Sequence, residues 1–162
     1  MGQTRISVDK GYCIDASSLM ELDSYPPDIF PKLWEDLDAL VKQGLLTSPL
    51  EIYNEIGRRY TGPVQIWTKK HKTMFLDIDG DQYKEAMALG RKFQGLVDYN
   101  KPKDDADPFL IALAKCRGYW TVVTQEKHND NKFKPHIPDI CEKIGIKCID
   151  LFGFFRELNW KY

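Results

Sequence analysis

Apolar residues along this 162-residue chain fall into two patterns that alternate: short continuous runs, and stripes at helical i, i+3, i+4 spacing. The run Tyr12-Cys13-Ile14 predicts a short buried strand ending at Asp15, and Ala16-Ser17-Ser18-Leu19-Met20-Glu21 predicts the start of a helix. Beyond the turn at Tyr25-Pro26-Pro27, residues Phe30, Leu33, Trp34, Leu37, Leu40 and Val41 share one helical face, with Gly44 as the stop. Ser48-Pro49-Leu50-Glu51 reads as an N-cap, a first-turn proline and a capping-box glutamate, opening a helix that carries Glu55 one turn further on. From Gly62 to Gly80, Ile66, Trp67, Met74, Phe75 and Leu76 lie in a basic setting and read as two short helices around a turn.

In the second half, Tyr83, Met87, Phe93, Leu96 and Val97 suggest a helix despite Gly90 and Gly95, before the turn-rich segment Asp98-Tyr99-Asn100-Lys101-Pro102-Lys103. Asp107-Pro108 then caps a buried helix through Phe109, Leu110, Ile111, Leu113 and Ala114, closed by Gly118. Tyr119 to Thr124 reads as a central strand, Pro138 to Lys143 as a short helix capped at Gly145, and Ile146 to Ile149 as a further strand. Leu151 to Leu158 closes the chain as a helix whose Phe152, Phe154 and Phe155, with Trp160, dock onto the sheet. Strands alternating with helices predict an α/β fold with a central, mainly parallel sheet, in one domain spanning 1–162.

A chain of this length buries about two-thirds of its unfolded surface, enough for one core. With 43% hydrophobic and 29% charged residues it is ordinary globular protein. No apolar stretch reaches the roughly 18 residues of a membrane span, and no signal-peptide core follows Met1-Gly2-Gln3-Thr4-Arg5, so a cytoplasmic, membrane-free protein is expected. Cys13, Cys116, Cys141 and Cys148 form no C-x-x-C pair and sit in apolar settings, which favours buried free thiols over disulfides or zinc. Net charge of −1 excludes coating of nucleic acid by bulk charge, which leaves local patches. Two stand out: Lys69-Lys70-His71-Lys72, and Lys127-His128 through Lys132, Lys134 and His136.

Four carboxylates occupy element boundaries: Asp15 after the first strand, Glu55 in a helix, Asp107 opening another, and Glu126 just after Thr124. Each has an ordinary alternative, as a helix cap for Asp15 and Asp107, a surface glutamate for Glu55 and a loop residue for Glu126. Together they occupy positions on which one crevice at the carboxyl ends of parallel strands would draw. Clustered oxygen ligands suit a hard divalent ion, which generates hydroxide from bound water for attack on phosphorus.

These segments, Tyr12-Cys13-Ile14-Asp15-Ala16-Ser17-Ser18, the Glu55 helix, Ala106-Asp107-Pro108-Phe109-Leu110-Ile111-Ala112-Leu113-Ala114 and Val122-Val123-Thr124-Gln125-Glu126, resemble in order the four acidic motifs of the PIN domain. The resemblance is closest to a bacterial or archaeal subgroup without an assigned role, related to the ribonuclease toxins of toxin-antitoxin pairs. It implies a three-layer α/β/α sandwich and a Mg2+- or Mn2+-dependent endoribonuclease. Asp15 and Asp107 carry over as principal metal ligands, with Glu55 and Glu126 outer or water-mediated. Glu126 stands where the PIN pattern usually has Asp. Ser17 and Thr124 match supporting hydroxyl residues, and Lys127, Lys132 and Lys134 would hold the RNA backbone. The implied partners are RNA, a small antitoxin protein and a second copy of the chain. Loss of catalysis through the Glu126 change would instead leave an RNA- or protein-binding module.

A rival motif lies in Phe75-Leu76-Asp77-Ile78-Asp79-Gly80-Asp81, which resembles the opening of haloacid-dehalogenase-type phosphatases, with Asp77 as nucleophile and Asp79 as acid/base. It lacks the usual Thr or Val after the glycine. The same acids also mimic a calcium loop, but the glycine comes too early and Ala88 stands at the twelfth position, so a solvated turn and helix cap are expected there.

Overall fold

Five short strands, each preceded or followed by helix, make a single all-parallel sheet in the computed structural model, which describes residues 11–59, 61–93, 107–131 and 133–162. In chain order the elements are β1 Tyr12–Ile14, α1 Ala16–Glu21, α2 Pro31–Lys42, β2 Leu46–Pro49, α3 Leu50–Arg59, α4 Pro63–Lys70, β3 Phe75–Leu76, α5 Gly80–Lys92, α6 Asp107–Cys116, β4 Thr121–Val123, α7 Ile137–Ile144, β5 Cys148–Ile149 and α8 Leu151–Glu157. The strands lie in the order β3-β2-β1-β4-β5. Tyr12 stands opposite Leu46 on one side and Thr121 on the other, and Val123 pairs with Ile149. Parallel strands covered on both faces need apolar residues throughout, which explains why β1 and β4 are continuously buried rather than alternating.

The chain moves outward from β1 to β2 and β3, then crosses back to β4 and outward to β5. The connections that leave β1 and β4 therefore run in opposite directions away from one seam. Such a reversal opens a crevice at the carboxyl ends of the two central strands, because the loops above them diverge. Right-handed crossovers place α1–α4 on one face and α5–α7 on the other, which gives a three-layer α/β/α sandwich. Helix α6 is apolar nearly all round, with Leu110 through Ala114 buried, and packs on β1, β2, β4 and α5. Helix α8 docks through Phe154 against Tyr12 and Phe155 against Tyr25, while Phe152 stays half exposed. Among the described residues, no helix is long and apolar enough to cross a membrane.

Several expectations need correction. Ser48-Pro49 is not a helix start: both belong to β2, and the helix begins at Leu50. Ser48 is fully buried and donates its hydroxyl to the carbonyl of Ile14 at 2.7 Å, an inter-strand role that mimics an N-cap in sequence. Within 62–80 there is one α-helix, a 3-10 turn at Lys72–Met74, and the edge strand β3 in place of a second helix. Cys13 and Cys141 are buried free thiols, Cys148 is partly buried, and Cys116, at the end of α6, is exposed rather than buried. The expected Leu96-Val97 extension, the turn at 98–103, Ala106 and Lys132 lie outside the described residues.

Candidate active site

At the seam between β1 and β4, Asp15 leaves the end of β1 and is 95% buried, with 5% of its surface accessible. Three donors converge on its carboxylate. The Ser18 backbone N–H donates to Oδ1 at 2.8 Å, making Asp15 the N-cap of α1; Ser17 Oγ lies 2.8 Å from both oxygens; and Thr124 Oγ1 donates to Oδ2 at 2.5 Å. Each hydroxyl is itself oriented by a backbone amide of the β4 loop, since Gln125 N–H donates to Ser17 Oγ and Glu126 N–H to Thr124 Oγ1, both at 3.1 Å. The PIN resemblance implied Ser17 and Thr124 as supports, and the structure brings both onto Asp15. Burial pushes the Asp15 carboxyl up to about 6; the hydrogen bonds from Thr124, Ser18 and Ser17 pull it down, and the nearby charge of Glu126 adds to the rise.

Glu126 follows β4 into the same crevice, but one of its oxygens is engaged: Oε2 accepts the Ile137 N–H at 3.0 Å, at the start of α7. The expected outer position of Glu126 thus includes holding a helix N-terminus, where a carboxylate complements unsatisfied N–H groups. Gln125 ties the loop to the start of α8, just beyond the neighbouring strand β5, by accepting the Leu151 N–H at 2.8 Å. Thr124, Glu126, Lys127, Cys148 and Asp150 line a cavity of about 190 Å³ above β4 and β5.

The remaining sequence-flagged acids, Asp107 and Glu55, lie in helices α6 and α3. Helix α6 runs back from the carboxyl edge of the sheet toward the start of β4, so Asp107 at its first residue belongs to the crevice side; it is partly buried. Glu55 is partly buried one turn into α3, and neither acid is without a partner. Among the described residues, no three His, Cys, Asp or Glu side chains are close enough to form a ready-made cage for a metal. Lys127 and Lys134 are exposed on the loop after Glu126.

Two residues escaped the sequence reading. Glu51, assigned to a capping box, instead stands two residues past the level of Asp15 on the neighbouring strand. Its Oε2 is buried with no hydrogen-bond partner among the described residues. Its signal was its place just after a strand end, hidden because the strand itself looked like a cap. Asp150 follows β5 as Asp15 follows β1; its Oδ1 caps α8 by accepting the Gly153 N–H at 2.8 Å, and its Oδ2 lies 3.9 Å from Lys127 Nζ. The rule that flagged Asp15 would have found it.

Asp77 and Asp79, by contrast, are exposed beyond the edge strand β3. Asp79 caps α5 in a capping box with Gln82, which is the helix-cap role expected of that run. The crevice offers hard oxygen donors and a buried carboxylate, and Glu51, in the first turn of α3, has a buried oxygen with no hydrogen-bond partner among the described residues. That chemistry fits a divalent ion that keeps several waters and takes one or two carboxylates. The family model described as "Domain of unknown function (DUF4411)" matches residues 12–162. No curated protein matches the chain.

Proposed function

Because the chain belongs to the DUF4411 family, whose description assigns no activity, we propose from the crevice itself that it is a divalent-metal-dependent nuclease that hydrolyses RNA phosphodiesters. The observation carrying this reading is Asp15: a carboxylate held by three donors at the β1/β4 switch point, kept buried although burial disfavours its charge. A structural residue at that place would be served as well by Asn, which caps a helix equally and carries no charge to bury. A cation held in the crevice would compensate that charge.

Asp15 and Asp107 would hold Mg2+ or Mn2+, with Glu55 and Glu126 acting from further out through water, and Glu51 as a further candidate. When bound, the ion supplies hydroxide at neutral pH and offsets charge on the phosphate. The chain's own residues do the positioning. Ser17 and Thr124 fix the Asp15 carboxylate, so that its oxygens do not turn away from the crevice. Glu126 braces the start of α7, from which the basic loop hangs. Lys127 and Lys134 present cations to a phosphate backbone, the contacts that dominate affinity for nucleic acid. Through the PIN resemblance, the finer reading is a cytoplasmic toxin, dimeric and neutralised by a small antitoxin protein; growth arrest on expression, relieved by a neighbouring small gene product, tests it.

Calorimetric titration with Mn2+ of the wild type, Asp15→Asn and Asp107→Asn, followed by RNA cleavage with the same proteins, tests the reading. Loss of binding and cleavage in both variants supports it, and full metal-dependent cleavage by each would sink it. One observation favours a second reading, a binding module without catalysis: Glu126 has one oxygen committed to Ile137. That reading requires RNA binding with no hydrolysis in saturating Mn2+.

A further inference from the structure

The loop after Glu126 is built in a way that phosphate binding alone does not require. Asp139, in the first turn of α7, accepts three hydrogen bonds from it: Asn129 N–H at 3.0 Å, His136 N–H at 2.8 Å, and His128 Nδ1 at 2.8 Å. Asn129 Nδ2 donates to the Lys134 carbonyl at 2.7 Å, and Asn131 Oδ1 accepts the Phe133 N–H at 3.0 Å. These bonds tie the described residues of the loop to one another and to the first turn of α7. The residue the loop displays most is Phe133, 87% exposed between Lys127 and Lys134. An isolated aromatic ring set among cations on such a loop is a stacking platform for the bases of a single strand.

Beside this loop lies a cavity of about 400 Å³, bounded by Asn129, Asp130, Asn131 and Pro135 and, from α7, Asp139, Glu142 and Lys143, with Glu142 Oε2 3.8 Å from His128 Nδ1. This is within the range of about 300–1,000 Å³ in which small-molecule sites fall. Its chemistry selects among the parts of a nucleotide. The Asp130 and Glu142 carboxylates repel phosphate but accept hydrogen bonds, while the Asn131 amide supplies a donor, since only its oxygen is engaged by Phe133. Guanine is the base whose Watson–Crick edge sets two adjacent N–H donors, N1–H and the N2 amino group, next to one acceptor, O6. A carboxylate takes the donor pair bidentately and an amide N–H takes O6.

We propose that this cavity is a base-reading subsite for a guanine of single-stranded RNA flanking the scissile phosphate, with Phe133 stacking a neighbouring base. The inference rests on the nuclease reading for its biological sense, but its test does not use cleavage. Fluorescence anisotropy in EDTA, with labelled oligouridylate hexamers carrying one G, A or C, measures binding alone. The G-containing hexamer is expected to bind about 10-fold tighter than the others, the discrimination of one good bidentate contact. Glu142→Gln or Asp130→Asn should erase that preference, and Phe133→Ala should weaken all hexamers alike by about 10-fold. All three side chains are exposed, so melting temperatures should be unchanged, which guards against misfolding as the cause.

Equal binding of all hexamers, preference for another base, preference that survives both acid-to-amide variants, or no binding at all would each overturn the subsite. The last result accompanied by Mn2+-dependent cleavage of longer RNA leaves the nuclease reading standing. Guanine preference without any cleavage sinks the nuclease reading and keeps the subsite.

Discussion

Replacing Asp15 by Asn should make the metal-free protein more stable at neutral pH, and the amount should depend on pH in a way that only a buried charge produces. Burial raises the Asp15 carboxyl from an ordinary 3.8 to about 6. Below about pH 4 the side chain is protonated in both folded and unfolded chains and carries no penalty. Between about 4 and 6 the unfolded chain releases the proton while the folded one retains it, so stability falls as pH rises. Above 6 both are ionised and the loss is complete, about 3 kcal/mol at about 1.4 kcal/mol per pH unit. Asn keeps the cap on Ser18 N–H but offers one acceptor oxygen where Asp offers two. One of the two hydroxyls must therefore turn away or rotate, at a cost of about 1 kcal/mol. The net expectation is a gain of about 2 kcal/mol at pH 7, or about 4–8 °C in Tm for a chain of this size, shrinking to nothing or reversing at pH 4. Urea unfolding of both proteins at half-unit steps from pH 4 to pH 8 reads the difference directly. A variant less stable than wild type at pH 7, with a gap that does not change between pH 4 and 6, would refute the argument that Asp15 is held charged against its surroundings.

Two further outcomes follow from the same crevice. Thr124→Val removes the donor to Asp15 Oδ2 and the acceptor for Glu126 N–H together; a loss of about 1–3 kcal/mol in urea unfolding is expected from the unsatisfied groups, with weaker Mn2+ binding by calorimetry, and unchanged values in both would remove Thr124 from the site. Glu51→Gln should leave stability in EDTA equal or higher, because it uncharges a side chain with an unpartnered buried oxygen, and should diminish the rise in Tm that Mn2+ gives the wild type; an undiminished rise would mean that Glu51 does not face the ion.

Much of this protein could be read before any coordinates. Helical spacing located α2, α6 and α8, and a left-handed glycine ended α7 where Gly145 stands, because these signals are local: a stripe every three or four residues, a backbone angle only glycine adopts readily. β1 and β4 were legible for the same reason, as apolar runs bounded by turns, and so were the acids at their ends. β2 and β3 were not. Leu46–Pro49 is only partly apolar and ends in a serine and a proline, and Phe75–Leu76 is two residues long; both are strands because β1 and β2 offer them an open hydrogen-bonding edge, which no local pattern encodes.

The site divides along the same line. Residue type and position after a strand were enough to single out Asp15 and Glu126, while the hydroxyls of Ser17 and Thr124 were singled out only through the family resemblance. That Thr124 reaches Asp15 across 109 positions, that Glu126 gives an oxygen to Ile137, and that one oxygen of Glu51 is buried without a hydrogen-bond partner among the described residues were settled by sheet order and register. A sequence states which groups the chain has and how each neighbourhood bends. Which groups meet depends on which strands pair and where the chain reverses at the β1/β4 seam, and that is fixed by the collective burial of one core rather than by any stretch of residues alone.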